Sequence, residues 1–441
     1  MAKKRRAGAL VRWAAVGLML LAWGACLYAL GRSTTSPTPE AEGAAPGVAL
    51  LSVDSSPPGA SVRIAGPGSG DAFGRGITPC DLPVAADTHP DSFLLHIEKP
   101  GYQTQEQVLA LAAGESRALD LALKPVPNWK PIEKREQANP VTIAAVGDIL
   151  LGAVSDPFGD VGDLLRAADV TFGNLECALT THPNHTPGKT DAQIAAMEHF
   201  VFKAHPRWAN ALALAGFDVV SMANNHAMDY RSQGLLDSIQ ALDPTGVKVV
   251  GAGPTLAYAR SRREITVGKT KVGFLAVTTI VPNYFAAAES SAGVAAHPVG
   301  PMQDWLRATI EAASRKVDVL CVSFHWGIER ETAPAAYQRQ LARAAVDAGA
   351  DFVIGHHPHC LQPIEVMDGA LVVYSLGNFV GLGTDDLTRR SVILKASFAD
   401  GKLTWYETYP VDLIDHRPQL GGPGERVQVA PRRAKDVLTG G

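Results

Sequence analysis

An α/β domain with helices covering a layered central sheet, preceded by a small all-β sandwich, is the fold class this sequence predicts. Three observations carry the prediction. From Val141 onward, strand-like and helix-like runs alternate. Residues 48–124 instead alternate apolar and polar side chains with the period of two that a half-buried strand requires. In the larger segment, the residues able to bind or ionise fall where its strand-like runs end.

The strand-like runs are Val141–Val146, Val170–Phe172, Phe217–Met222, Val317–Phe324 and Phe352–Ile354. Helical stretches lie between them at Val161–Ala168, Trp208–Ala215, Gly234–Leu242, Met302–Ser314 and Tyr337–Ala348, the last stopped by Gly349. Hairpin-like pairs occur at Glu264–Val277 across Gly268-Lys269 and at Ser391–Tyr406 across Asp400-Gly401, which makes the sheet mixed or doubled. This domain is bounded at residues 140–418, and residues 419–441, rich in Gly, Pro and Arg, read as a loose tail.

Lys3-Lys4-Arg5-Arg6 precedes an apolar run from Ala14 to Leu30, so residues 1–31 read as a cytoplasmic basic stub and a transmembrane signal anchor. About 20 apolar residues span a bilayer, and flanking positive charge keeps its own end in the cytoplasm. The rest of the chain is therefore expected outside the cytoplasm, in the periplasm or at the cell surface. Cleavage at Ala29-Leu30-Gly31 is the alternative to a retained anchor. Residues 32–47 and 125–139 are linkers rich in small, polar and proline residues. A formal charge of −4 with no basic-aromatic stripe excludes a nucleic-acid partner. Five scattered cysteines contain no CxxC pair, and buried free thiols are preferred over a Cys177–Cys360 bridge.

In 48–124, Val62 and Ile64, then Phe93, Leu95 and Ile97, then Leu119, Leu121 and Leu123 alternate with polar positions. The order Pro58-Gly59-Ala60-Ser61-Val62, Gly76-Ile77-Thr78-Pro79, Lys99-Pro100-Gly101-Tyr102 and Gly114-Glu115 resembles the PEGA module. That resemblance implies an extracytoplasmic spacer or surface-binding domain, with a spacer the plainer reading.

Five strand-like runs each release polar residues at their carboxyl end. Asp148 follows the first, and Asn174 with Glu176 the second. Asn224, Asn225, His226 and Asp229 follow the third, His325 the fourth, and His357 with His359 the fifth. Each has a simple structural explanation alone: a turn, a cap or a core histidine. Five coinciding on the edge where α/β sheets bind ligands point to one shared site. Carboxylates, an amide and imidazoles suit Mn²⁺, Fe²⁺ or Zn²⁺ rather than thiolate chemistry. His357 and His359, flanking Pro358, are read as an extended pair projecting to one side. His356 reads as a bystander. His226 and Asp229, three apart, have the layout of an acid or base with its orienter.

GDILLG, FGNLE, SMANNHAMDYRSQGL, SFHWGIE, GADFVIGHHPHCLQPIE and VVYSLGNF, spread over residues 140–415, resemble the CapA family of capsule (poly-γ-glutamate) synthesis proteins. The family's domain is similar to the calcineurin-like metallophosphatases. The resemblance implies metal ligands at Asp148, Glu176, Asn225, His325, His357 and His359, with Glu176 bridging and His226 the acid supported by Asp229. Metallophosphatases open with Asp-x-His, but Leu150 stands where the histidine would be. One metal position would keep Glu176, Asn225, His325 and His357. The other has Asp148, His359 and the bridge, unless Asn174 helps, so one firm and one weaker site are expected. Asn174, Lys203, Trp326, Glu329, Gln362 and Asn378 are candidate substrate contacts, with Asn378 also readable as a loop cap and Trp326 as core.

The expected function is a membrane-anchored metal-dependent hydrolase acting on an anionic polymer such as poly-γ-glutamate, alongside capsule synthesis or export proteins. The alternative is a non-catalytic, metal-containing, polymer-binding component of an export or attachment assembly.

Overall fold

The computed structural model describes residues 48–65, 72–85, 93–99, 102–112, 114–124, 140–154, 156–159, 161–383 and 385–429. The expected stub, anchor and both linkers, with the end of the tail, lie outside the described residues. Among the described residues no helix is long and apolar enough to cross a membrane.

Alternation in residues 48–124 produces two facing sheets. One orders Cys80–Ala85, Val48–Ser56 and Ser116–Ala122; the other orders Ala72–Ile77, Ser61–Ala65, Phe93–Glu98 and Gln105–Leu109. The alternate residues Leu51, Val53, Val62, Ile64, Phe93, Leu95 and Ile97 form one core between them. Ser116–Ala122 runs parallel to Val48–Ser56, so the last strand returns beside the first and the sandwich is not wholly antiparallel. The buried Thr78 hydroxyl accepts hydrogen bonds from the Gly59 and Ala60 amides at 3.0 and 2.9 Å, which joins two of the family motifs. Gly59 has φ +88°, and a β-carbon there would lie 2.3 Å from Nδ2 of Asn210. Only glycine allows this approach to the larger domain.

Two further sheets pack face to face in the larger domain. The first runs Lys248–Val250, Val219–Ser221, Val170–Leu175, Val141–Ile149, Arg390–Ala399, Lys402–Ile414 and Arg417–Leu420. The second runs Arg263–Val267, Thr270–Thr278, Val319–His325, Phe352–His356, Ala370–Val373 and Ile364–Met367. Val141, Ile143, Phe172 and Val219 of one meet Phe274, Cys321, Phe352 and Ile354 of the other in a single buried cluster. Phe172 and Phe274 stack across that layer with centroids 5.5 Å apart. Each such fully buried side chain contributes about 1.5–3 kcal/mol, which offsets the polar groups the same domain buries.

Helices cover both outer faces. Ala209–Ala215 and Arg231–Leu242 place Leu212, Leu235 and Leu242 against the first sheet. Asp304–Ser314 and Ala336–Asp347 place Leu306, Ile310, Leu341 and Ala345 against the second. The apolar spacing of three and four residues gives each helix one buried stripe. The result is a four-layer α/β/β/α domain, and the doubled sheet is observed. Both expected hairpins form. The tail expected from residue 419 does not begin there. Arg417–Leu420 and Glu425–Gln428 both pair with Lys402–Ile414.

Within the first sheet Val141–Ile149, Val170–Leu175 and Val219–Ser221 are parallel. Within the second, Thr270–Thr278, Val319–His325 and Phe352–His356 are parallel. The carboxyl ends of the two parallel sets converge, and that convergence builds the site.

Candidate metal centre

Asp148 reaches the site through a register shift in its strand between Ala145 and Asp148. A β-carbon at Gly147 would lie 2.0 Å from the Gly377 carbonyl, so glycine is what lets the 377–378 turn close on the strand end. The Asp148 amide then donates to that carbonyl at 3.0 Å, and Asn378 pairs with Asp148. Glu176 follows the next strand, its amide bonded to the Ile149 carbonyl at 2.9 Å. His325 and His356 are register partners at the ends of two neighbouring strands.

His357 and His359 arrive by a different route from the extended segment expected. Their φ values are +97° and +56°, left-handed backbone in both cases. Such conformations cost about 1–3 kcal/mol each and persist only where the surroundings enforce them. Here the His357 amide donates to Asp148 Oδ2 at 3.3 Å, and His359 Nδ1 lies 2.9 Å from Asn378 Oδ1. The rings still converge, with centroids 5.9 Å apart.

The side chains form two overlapping triads. Glu176, His325 and His357 bring ligand atoms within 4.8 Å of one another, as do Asp148, Glu176 and His359. Asn225 joins the first, its Oδ1 2.7 Å from His325 Nε2. Glu176 belongs to both. Both Glu176 oxygens and His357 Nδ1 are buried with no hydrogen-bond partner among the described residues. Ionising a carboxyl buried without hydrogen bonds or a counter-charge costs several kcal/mol, a large share of a typical stability of about 5–15 kcal/mol. The orphaned atoms, and the mix of oxygen and imidazole donors, fit a hard or borderline divalent ion.

The electrostatics of the metal-free residues follow from burial and crowding. Burial, then the negative charge of Asp148, pushes Glu176 well above the usual carboxylate range. Burial works against Asp148 as well, but contacts with His356 and His359 outweigh it and hold that carboxyl well below its ordinary value. Burial and the neighbouring imidazoles depress His325 strongly and His357 to about 3. For His359 the effect of burial is overcome by Glu176 and Asp148, raising it to about 10.

Beside the triads, His226 Nδ1 lies 2.7 Å from Asp229 Oδ2, and Asp229 also accepts the Phe202 amide at 2.7 Å. Its other oxygen is ion-paired with Lys189, whose ammonium further donates to the Phe200 carbonyl at 2.9 Å and the Asn225 carbonyl at 3.3 Å. Burial, then the Lys189 charge, lowers the His226 pKa against the pull of Asp229. The resting imidazole is therefore neutral, with Nδ1–H given to Asp229 and Nε2 left as a proton acceptor. The role of acid requires that Nε2 first collect a proton.

The expected substrate contacts divide. Asn174 is fully buried, donating to Asp148 Oδ1 at 2.9 Å and accepting from Asn224 at 3.1 Å, so it orients Asp148 rather than facing an open surface. Asn378 holds His359 and donates to the Thr388 carbonyl at 3.0 Å. Trp326 belongs to the core: it is fully buried, stacked on Phe324 at 4.6 Å and bonded to the Tyr374 carbonyl. Gln362 is a loop brace, buried between Gln338 and the Glu331 carbonyl. Lys203 donates to the His182 carbonyl at 3.1 Å and lies over the Tyr230 ring. Glu329 alone is exposed, and its carboxylate lies with His357 and His359 in a third group of ligand atoms within 4.8 Å.

Sequence reasoning missed Lys189, whose only signal is a polar Pro-Gly-Lys-Thr loop with no periodicity. It also dismissed His356. That ring is buried with Nδ1 3.2 Å from Asp148 Oδ1, outside hydrogen-bond geometry. Leu150 lies in the apolar cluster of the first sheet, away from the polar set. Cys177 and Cys360 are both free thiols.

A doubled sheet whose strand ends gather carboxylates, an amide and histidines defines a metallophosphatase-like domain. Residues 142–381 match the family described as bacterial capsule synthesis protein PGA_cap, and residues 48–127 match the PEGA domain. The chain belongs to the PGA_cap family of bacterial capsule synthesis proteins. It is 32% identical over 284 residues to the PGA biosynthesis protein CapA of Bacillus subtilis, covering 62% of this chain and 72% of that one. Identity to the capsule biosynthesis protein CapA of Bacillus anthracis is 29% over 300 residues, covering 66% and 71%. A probable polyglutamine synthesis accessory protein of Mycobacterium tuberculosis is 33% identical over 233 residues, covering 51% and 59%.

Proposed function

We propose that this protein is a membrane-anchored, extracytoplasmic, metal-dependent hydrolase acting on an anionic cell-surface polymer such as poly-γ-glutamate, or on its precursor. The observation that carries the reading is Glu176: a fully buried carboxyl group with no hydrogen bond at either oxygen among the described residues, shared by two triads of potential ligands. The polymer class is supported by the names of the relatives, two of which are capsule or PGA biosynthesis proteins. The basic stub and apolar run at the amino terminus support the anchor. Capsule synthesis or export proteins are the expected partners.

Glu176, Asn225, His325 and His357 would hold one ion, and Asp148, Glu176 and His359 a second. When bound, a divalent ion of the Mn, Fe or Zn type supplies Lewis-acid polarisation of a carbonyl or phosphoryl oxygen and lowers the pKa of water. The residues around it do the rest. Asp229 orients the His226 ring through Nδ1, and Lys189 holds Asp229 in place by pairing with it. His226 Nε2 takes a proton in one step and returns it to the leaving group in the next.

His226→Ala should lower turnover of γ-glutamyl and phosphodiester test substrates by about 10²–10⁴-fold, the usual contribution of a positioned acid–base group, with metal content unchanged. A wild type that turns over none of them yet retains the polymer would make the protein a binding component of an export or attachment assembly.

A further inference from the structure

We infer that Glu329 is a metal ligand that completes the second position, compensating for the histidine that Leu150 replaces. This inference rests on the metal-centre reading above. Asp148, Glu176 and His359 give that position three protein donors, one fewer than the first position has. The Glu329 carboxylate lies within 4.8 Å of ligand atoms on His357 and His359, one imidazole from each position. The first position already has Glu176, Asn225, His325 and His357. The second is the one that lacks a donor.

An exposed glutamate on a loop is ordinarily just solvated, and what sets this one apart is how its loop is held. The Trp326 amide donates to the His356 carbonyl at 3.1 Å on one side of it. On the other, the Arg330 amide donates to the Pro358 carbonyl at 2.7 Å, and Arg330 pairs with Asp385 at 2.8 Å. The next carbonyl, Glu331, accepts from Gln362 Nε2 at 2.7 Å and Cys360 Sγ at 3.4 Å. Arg330 itself has φ +65°, a turn that a non-glycine residue adopts at a cost. Glu329 is thus held between two bonds, at Trp326 and at its neighbour Arg330, to the very segment that carries His357 and His359. Such tethering would serve no purpose for a solvated carboxylate. Two orphaned, buried groups, Glu176 and His357, independently mark the space it borders as a ligand site.

The test uses the full-length chain, stripped of metal and titrated with Mn²⁺ and Zn²⁺ by calorimetry, with bound ions counted by elemental analysis. The wild type should take up about two ions per chain, as two triads sharing one bridge require. Glu329→Gln should retain the first at wild-type affinity and weaken the second by at least about 10–100-fold, with an unchanged far-UV circular dichroism spectrum. Because Glu329 is exposed, the substitution does not threaten folding. Glu329→His should restore the second ion. A Glu329→Gln variant with wild-type stoichiometry and affinity overturns the inference, including one in which only a KM rises, which would make Glu329 a substrate contact. A wild type that binds one ion overturns it and leaves the hydrolase reading standing. A wild type that binds none overturns both.

Discussion

Glu176, Asn225, His325 and His357 assemble one half of the cluster at depth, with both histidines nearly inaccessible, whereas the half built on Asp148 and His359 leaves its imidazole partly open to solvent. The difference originates in the chain. The first half uses strand ends from both sheets, and the Asn225–His325 contact of 2.7 Å ties the sheets together. Each half takes one imidazole from the same left-handed loop, His357 for the first and His359 for the second, and the second adds to it a bulged strand end at Asp148. The fold thus holds His325 at a buried strand end and leaves His357 and His359 to loop braces, Asp148 for one and Asn378 for the other. The contrast teaches that the triad with more candidate donors is also the deeper one, and that the smaller triad lies nearer to solvent.

The largest expected effect separates the halves directly. His357→Ala should weaken the first ion by more than about 100-fold, beyond the loss typical of an outer partner, and His359→Ala should change it by less than about tenfold while abolishing the second. Competition calorimetry with a chelator of known affinity measures both. Equal effects of the two substitutions would mean the positions are not distinct.

A smaller effect lies in the protons. A ligand must be deprotonated to bind, and His359, raised to about 10 by Glu176 and Asp148 with Glu329 adding to the same direction, carries a proton at neutral pH. His325 and His357, depressed by burial, do not. Affinity for the second ion should therefore rise with pH, by about tenfold per unit between pH 7 and 9. The first ion displaces only the proton that burial holds on Glu176. Titrations in buffers of different ionisation enthalpy would count these protons; a second ion bound without proton release would contradict the charge state assigned to His359.

Much of this was legible in the sequence because two simple periodicities were intact. Apolar runs of strand length ending in Asp148, Glu176, His325 and His357 declare both the sheet and the edge at which these side chains gather. What escaped depended on tertiary geometry. Glu425–Gln428 is exposed at every position, so its pairing leaves no apolar signature and it read as tail. The left-handed backbone of His357 and His359 is enforced by Asp148 and Asn378 from distant parts of the chain, while the local Pro358 argued for extension. Lys189 folds over the site from an aperiodic loop. Trp326 and Gln362 sit within site motifs but serve the scaffold, since adjacency in sequence does not say which way a side chain points.

The central claim is that converging strand ends form a metal centre bridged by Glu176. Calorimetric titration of the metal-stripped full-length chain with Mn²⁺ or Zn²⁺, wild type against Glu176→Ala, tests it most directly. The account predicts tight binding by the wild type and loss of both ions in the variant, with folding retained because the removed carboxylate makes no hydrogen bond through its oxygens among the described residues. Undiminished binding by Glu176→Ala, or a wild type that takes up no ion, would contradict it.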